Sequence, residues 1–295
     1  MEGDLAGQTT LWSAVGKLYE RDEVVAAHAM AVELGMGEGA WQLSFFRSVE
    51  AEAMSRKESQ VVALAPWLAF EYLPHEMRGF REFSAAALHA CETVAQRLGW
   101  AHTVPTRIAV LADEADVPWA SNPHGYHSAR TPYDKICLPA YLQDDLVEFR
   151  QAVAHEYAHV ITNALTEGKA PRWLSEAVSV LAERVFDPKA LRALRDGAWL
   201  PAGPLEAAFA GGEEGENPEW AVWLAYQQSG WIGRYLAELA DERKLGDLLR
   251  AHGGGGFWRR LGTLLQGRSP TDQALLEVYG LTVIDLFERA RKELR

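Results

Sequence analysis

The sequence predicts an α+β fold in which one small twisted sheet stands between two helical regions. Three observations carry this. Residues 11–60 place apolar side chains at helical spacing. From residue 61 the texture changes to short runs rich in β-branched and aromatic residues, bounded by Gly and Pro. Beyond residue 144 the periodicity is helical almost to the end. The expected boundaries are a helical N-terminal segment over 1–60 and a second domain over 61–295, divided into a sheet subdomain (61–143) and a helical subdomain (144–295).

The first segment reads as a helical hairpin. Leu11, Val15, Leu18 and Tyr19 recur about one turn apart, and Val24, Val25, His28, Met30, Ala31 and Leu34 continue the pattern. Gly35, Gly37 and Gly39 break it before a second helix around residues 41–54. No function is legible there. In the next region Trp67 to Leu73 suits a strand ending at Pro74, and residues 77–99 have helical periodicity up to Gly99. The run from Val61 to Phe70 is broken by Pro66. Residues 106–111 form a second strand. A Gly/Pro/Asn-rich loop covers 117–125. Short strands follow at 125–130 and 134–138, the latter stopped by Pro139.

Asp145 and Glu148 have capping-box spacing ahead of an apolar-periodic run, which starts a helix near 145 and carries it to about 165. Pro171 stands where a first helical turn begins, so the next helix covers 172–186 and ends before Pro188. Glycine-rich breaks at 211–215 and 253–256 separate the later helices. No internal repeat is present.

Composition narrows the function. Hydrophobic residues make up 48% and charged residues 24% of the 295, an ordinary globular balance. The net charge of -12 and the lack of a Lys/Arg run disfavour nucleic acid as a partner. Cys91 and Cys137 have neither a CxxC partner nor a neighbouring His, so they read as buried free thiols. The eleven Trp read as packing residues. No stretch approaches 18 apolar residues, so no membrane span is expected. The opening MEGDLAGQTTLW lacks a basic and then apolar leader pattern. The expectation is a cytoplasmic protein, with secretion open if a leader has been removed.

The chemistry concentrates at His155-Glu156-Tyr157-Ala158-His159, an HExxH motif on the 145–165 helix. Residues four apart lie one turn apart on one face, so both imidazoles can reach a single ion at about 2.0–2.1 Å. Glu156 lies beside that face, near enough to a metal-bound water to act as its general base. Ala152, Val153, Ala154, Tyr157, Ala158, Val160 and Ile161 make the helix apolar nearly all round, so its His and Glu side chains need polar partners. A catalytic zinc takes three protein ligands. Glu176, early in the next helix and 17 residues after His159, is the third candidate. Alone it would read as a helix-start acid favoured by the dipole. A short connection makes the two helices antiparallel neighbours and lets it face the histidine pair.

HEYAHVITN followed by PRWLSEAVSVLAE resembles the gluzincin metallopeptidases, which pair HExxH with a Glu on a following helix. Thermolysin and the zinc aminopeptidases belong to this clan. The resemblance is closest to bacterial families whose third-ligand segment reads roughly P-x-W-L-x-E-G and which carry a later A-Y-x-x-S segment, here Ala225-Tyr226-Gln227-Gln228-Ser229. It covers about 65–290. It implies a zincin-like small mixed sheet with the active-site helix beneath it, one zinc ion on His155, His159 and Glu176, and a peptide or protein substrate. Three positions depart from the pattern. Ala177 replaces the usual Gly, Ser175 stands where many members have Asn, and Val180 stands where thermolysin-like members have a carboxylate. Asn163, Ser175 and Glu183 are the candidates to accept the second N–H of a ligating imidazole.

The resemblance further implies that Tyr226 donates to the developing oxyanion, a role whose loss costs about 10²–10³ in rate. It also implies that substrate pairs with an exposed sheet edge; residues 125–130 are the candidate edge. His124 and His127 read as loop histidines without a metal role. Glu156 would take the proton of the attacking water and pass it to the leaving amine. No GAMEN-like exopeptidase motif is visible, which leans towards an endopeptidase or a small dedicated substrate. Two alternatives remain: a zinc-binding protein that binds peptides or a protein partner without cleaving them, and a helical interaction protein with a chance HExxH.

Overall fold

The computed structural model describes residues 12–35, 40–111, 125–209, 218–254 and 268–294. The loop over 117–124 with His124, the glycine-rich break at 211–215, and residues 255–256 of the second such break lie outside them. By packing, Met1–Ala90 with His102–Glu156 form one compact unit, and Cys91–Ala101 with Tyr157–Arg295 form a second.

The first unit is α+β. Its N-terminal helices are α1 (12–20), α2 (Val24–Glu33) and α3 (Ala40–Glu58). Trp12, Val15, Ala27, Ala31, Phe46 and Val49 are buried together where they pack. The sheet has five strands: β1 (Gln60–Ala65), β2 (Leu68–Tyr72), β3 (Thr106–Leu111), β4 (Tyr126–Ser128) and β5 (Asp134–Pro139), in the order β1-β2-β3-β5-β4. It is mixed: β2, β3 and β5 run parallel, while β1 and β4 are antiparallel edges. Strand β1 was not expected. Pro66 does not break one strand; Pro66 and Trp67 form the turn between two. Pro has no N–H to leave unpaired at a turn, and so an apolar run became a hairpin. Helix α4 (Phe80–Leu98) connects β2 to β3.

Alternate residues give the sheet two unlike faces. Phe70, Ile108, Ile136 and Leu138 are buried on one. Phe149, on the first turns of α5 (Leu146–Thr166), meets Phe70 at 6.3 Å and Phe83 of α4 at 5.0 Å between ring centroids. Asp145 caps α5 by accepting from the N–H groups of Val147 (2.7 Å) and Glu148 (3.1 Å).

The other face carries Glu71, Arg107, Tyr126, Lys135 and Cys137, and α3 covers it with Ala51, Glu52 and Arg56. The charges there are paired almost without water. Glu52 accepts from Arg130 (2.7 Å), Lys135 (2.6 Å), Tyr126 (2.5 Å) and Tyr19. Asp22, in the α1–α2 turn with a left-handed backbone (φ 59), accepts from Arg56 (2.6 Å), Arg130 (3.0 Å), Lys135 (3.3 Å) and Tyr133. Glu71 accepts from Ser59 (2.8 Å) and pairs with Arg56 (2.6 Å). Burial alone would raise the Glu52 and Asp22 carboxyls. Lys135, together with Arg130 at Glu52 and with Tyr133 and Arg56 at Asp22, outweighs that and holds both below the usual carboxylate range. Burial and the nearby Glu52 push the Cys137 thiol up to about 12. Cys91 and Cys137 are both free and buried, as expected.

The second unit is helical: the remainder of α4 and α5, then α6 (Arg172–Glu183), α7 (Pro188–Ala193), α8 (Ala202–Ala208), α9 (Pro218–Leu239), α10 (Glu242–Gly253), α11 (Pro270–Tyr279) and α12 (Val283–Leu294). Helix α6 stops three residues before the expected end because Arg184 takes a left-handed cap (φ 62). No helix among the described residues is long and apolar enough to cross a membrane.

Glu52→Ala leaves Arg130 and Lys135 to share Asp22 alone as buried counter-charge and should cost about 3 kcal/mol, read as a lower urea midpoint at pH 7. A carboxyl whose pKa is depressed by folding adds stability above its unfolded value and loses it as pH falls. Wild-type stability should therefore decline as pH drops below about 5. Glu52→Gln should start lower and show a shallower decline over the same interval.

Candidate metal centre

His155, Glu156 and His159 lie in the middle of α5, where successive residues are buried on every side. His155 and Glu156 are themselves buried, while His159 is half-buried. Trp173 and Leu174, both buried, seat the first turn of α6, and Trp173 meets Phe287 of α12 edge-on at 5.2 Å. Glu176 follows one turn later and is also buried.

One ligand atom from each of His155, His159 and Glu176 lies within 4.8 Å of the other two. His159 Nε2 stands 3.4 Å from a Glu176 carboxylate oxygen. Its other ring nitrogen, Nδ1, is 2.8 Å from Ser175 Oγ. Of the three expected acceptors, Ser175 therefore holds the imidazole. Ser175 precedes Glu176 directly, and the two side chains reach the same ring. Glu156 is not one of the three grouped residues. It is adjacent in sequence and buried beside them.

The position of Glu176 follows from how closely α6 meets α9. A Cβ on Gly233 would fall 2.2 Å from the Ala177 carbonyl oxygen, and one on Gly230 would fall 2.3 Å from Val180 Cγ1. Backbone thus packs on backbone beside the glutamate. Val180, at the position where a carboxylate was considered, is filled into this apolar contact with Gly230 and Phe186. A charge there would be buried against hydrocarbon.

Tyr226 of α9 is half-buried, edge-on to Phe209 at 5.2 Å, with its hydroxyl 3.4 Å from Arg172 Nη2. Arg172 Nε in turn lies 3.6 Å from Glu176 Oε1. Tyr226 is therefore tied to the ligand group through Arg172. The neighbouring Gln227 and Gln228 serve the fold: they bond the backbones of Asp187 and Leu200. His127 sits on β4, paired with Asp134 at 2.9 Å.

Two residues escaped the sequence reading. Arg172 is one. Glu206 of α8 is the other: it accepts from the N–H of Arg172 (2.8 Å) and of Trp173 (3.1 Å), capping α6 where Pro171 offers no side-chain acceptor. Its separation of more than thirty residues leaves no local spacing to reveal it, although an acid at a helix N-terminus is favourable in general.

No family model, no curated protein and no solved structure matches this chain. The geometry of the site therefore carries the functional argument.

Gly233→Ala should push α6 away from α9 and destabilise the protein by about 1–3 kcal/mol, measured by urea denaturation. Gly16→Ala is the control for loss of a helical glycine itself, since it lies within α1 and a Cβ there meets nothing within 4 Å; it should leave stability unchanged or slightly raised.

Proposed function

We propose that this chain is a zinc-dependent metallopeptidase with His155, His159 and Glu176 as ligands and Glu156 as general base. The observation that carries the reading is the convergence of those three side chains within 4.8 Å from two helices. The donor set fits the metal. Two imidazoles and one carboxylate with a further position left open is a catalytic zinc arrangement. Ligands about 2.0–2.1 Å from a tetrahedral ion lie about 3.3–3.4 Å apart; the His159–Glu176 separation is 3.4 Å. With Ser175 on His159 Nδ1, Nε2 is the ring nitrogen that would serve a metal.

Zinc would polarise the scissile carbonyl and make water nucleophilic near neutral pH. Glu156 accepts the proton of the attacking water and returns it to the leaving amine. It is buried, follows His155 directly in sequence and is not one of the three grouped residues. Tyr226, which contacts Arg172 and through it Glu176, would donate its hydroxyl to the charge that develops on the carbonyl oxygen. Among the described residues no strand pairs with the outer side of β4, and an extended peptide can add there.

Glu156→Gln should keep stoichiometric zinc while peptide hydrolysis falls by about 10²–10⁴, seen by metal analysis beside mass-spectrometric profiling of a digested peptide library. Undiminished cleavage would remove Glu156 from the mechanism. Glu176→Ala should lose zinc outright. Ser175→Ala should weaken zinc affinity about 10–100-fold in a chelator competition; unchanged affinity would make the Ser175 contact incidental.

A further inference from the structure

We infer that Arg172 recognises a carboxylate on the substrate, so that the preferred substrates are peptides whose free C-terminus lies one or two residues beyond the scissile bond. The inference rests on the metallopeptidase reading. Arg172 stands one helical turn before Glu176, with Nε 3.6 Å from that carboxylate and Nη2 3.4 Å from the Tyr226 hydroxyl. Its guanidinium also lies 5.4 Å over the Phe209 ring, which helps fix the plane of the fork. The side chain is 52% exposed where that of Glu176 is 5% exposed. Arg172 is thus the solvent-facing end of a chain of contacts that begins at a metal ligand.

Its present partners do not use it fully. Both contacts are longer than the 2.7–2.9 Å of a committed charge-assisted bond. Glu176 would give its charge to the metal. Glu206, the other acid at this end of α6, directs its oxygens to the backbone N–H groups of Arg172 and Trp173. Tyr226 and Phe209 are neutral. A cation with five donors therefore faces solvent beside the candidate centre, and its carboxylate contact is the long 3.6 Å one to Glu176. Planar two-point binding of a carboxylate is what a guanidinium does best. Consecutive residues are spaced about 3.8 Å apart. A group held by an arginine that touches a ligand side chain therefore lies within a residue or two of the bond being cut.

The test measures binding without turnover. Zinc-loaded Glu156→Gln protein is titrated into a fluorescein-labelled random tripeptide pool with free C-terminal carboxylates, and into the same pool amidated, with fluorescence anisotropy as the readout. The acid pool should bind at least about tenfold more tightly. Adding Arg172→Gln should abolish the preference, and adding Arg172→Lys should restore part of it. Equal binding of the two pools, or a preference that survives Arg172→Gln, would overturn the inference. So would an Arg172→Gln single variant that cleaves both pools more slowly by the same factor with their relative rates unchanged, since that marks a donor to the reacting oxygen. Failure of the metallopeptidase reading appears separately, as wild-type protein that holds no zinc and cleaves neither pool.

Discussion

The depth to which α6 settles on α9 governs the candidate centre. Two histidines one turn apart offer two donors; a third must arrive at the right height and angle. Here the absence of side chains at Gly230 and Gly233 lets α9 approach until a Cβ would meet the Ala177 carbonyl. Trp173 against Phe287, and Glu206 on the first N–H groups, then fix the start of α6. Glu176 lies between these restraints. Its carboxylate reaches His159 because three neighbouring contacts leave the helix little freedom to slide. Packing interiors are close to crystalline in density, so small displacements are transmitted rather than absorbed.

Much of this was legible in the sequence. The HExxH spacing states a same-face geometry by itself, and the apolar surroundings of His155 and His159 announce burial. Glu176 rested on a short connection between helices together with the resemblance. Asp145 revealed its cap because capping residues act over three positions. Other features depend on residues far apart in sequence. Glu206 meets α6 from a different helix, and Arg172 acquires meaning only when Tyr226 and Phe209 are beside it. The choice among Asn163, Ser175 and Glu183 required knowing which side chain the ring of His159 faces. Strand β1 was hidden because Pro66 reads equally as a break or a turn, and only pairing with β2 distinguishes them.

The sheet face beneath α3 shows a further limit. Glu52 and Arg56 are unremarkable charges in a helix, and Arg107 and Lys135 are unremarkable charges in strands. Each would read as solvated. In the structure they satisfy one another, with the Glu52 side chain fully buried and that of Lys135 1% exposed. Such an arrangement is weak evidence for added stability over an apolar interface. It is strong evidence about register, because a one-residue slip of any strand would move its charges to the hydrocarbon face.

Those pairings also bear on modularity. Tyr126 on β4, Arg130 just beyond it and Thr131 through its backbone N–H are all held by residues before position 53: Glu52, Asp22 and the Glu20 carbonyl. The helical hairpin is therefore not an appendage that evolution or a cloning boundary can exchange freely. A chain beginning at the first strand would lose the Glu52 and Asp22 counter-charges of Arg130 and Lys135, open that sheet face to solvent and leave its outermost strand tethered from one side only. Any recombination that brings this sheet to a new context must carry residues 12–58 with it, or rewrite the charges they neutralise.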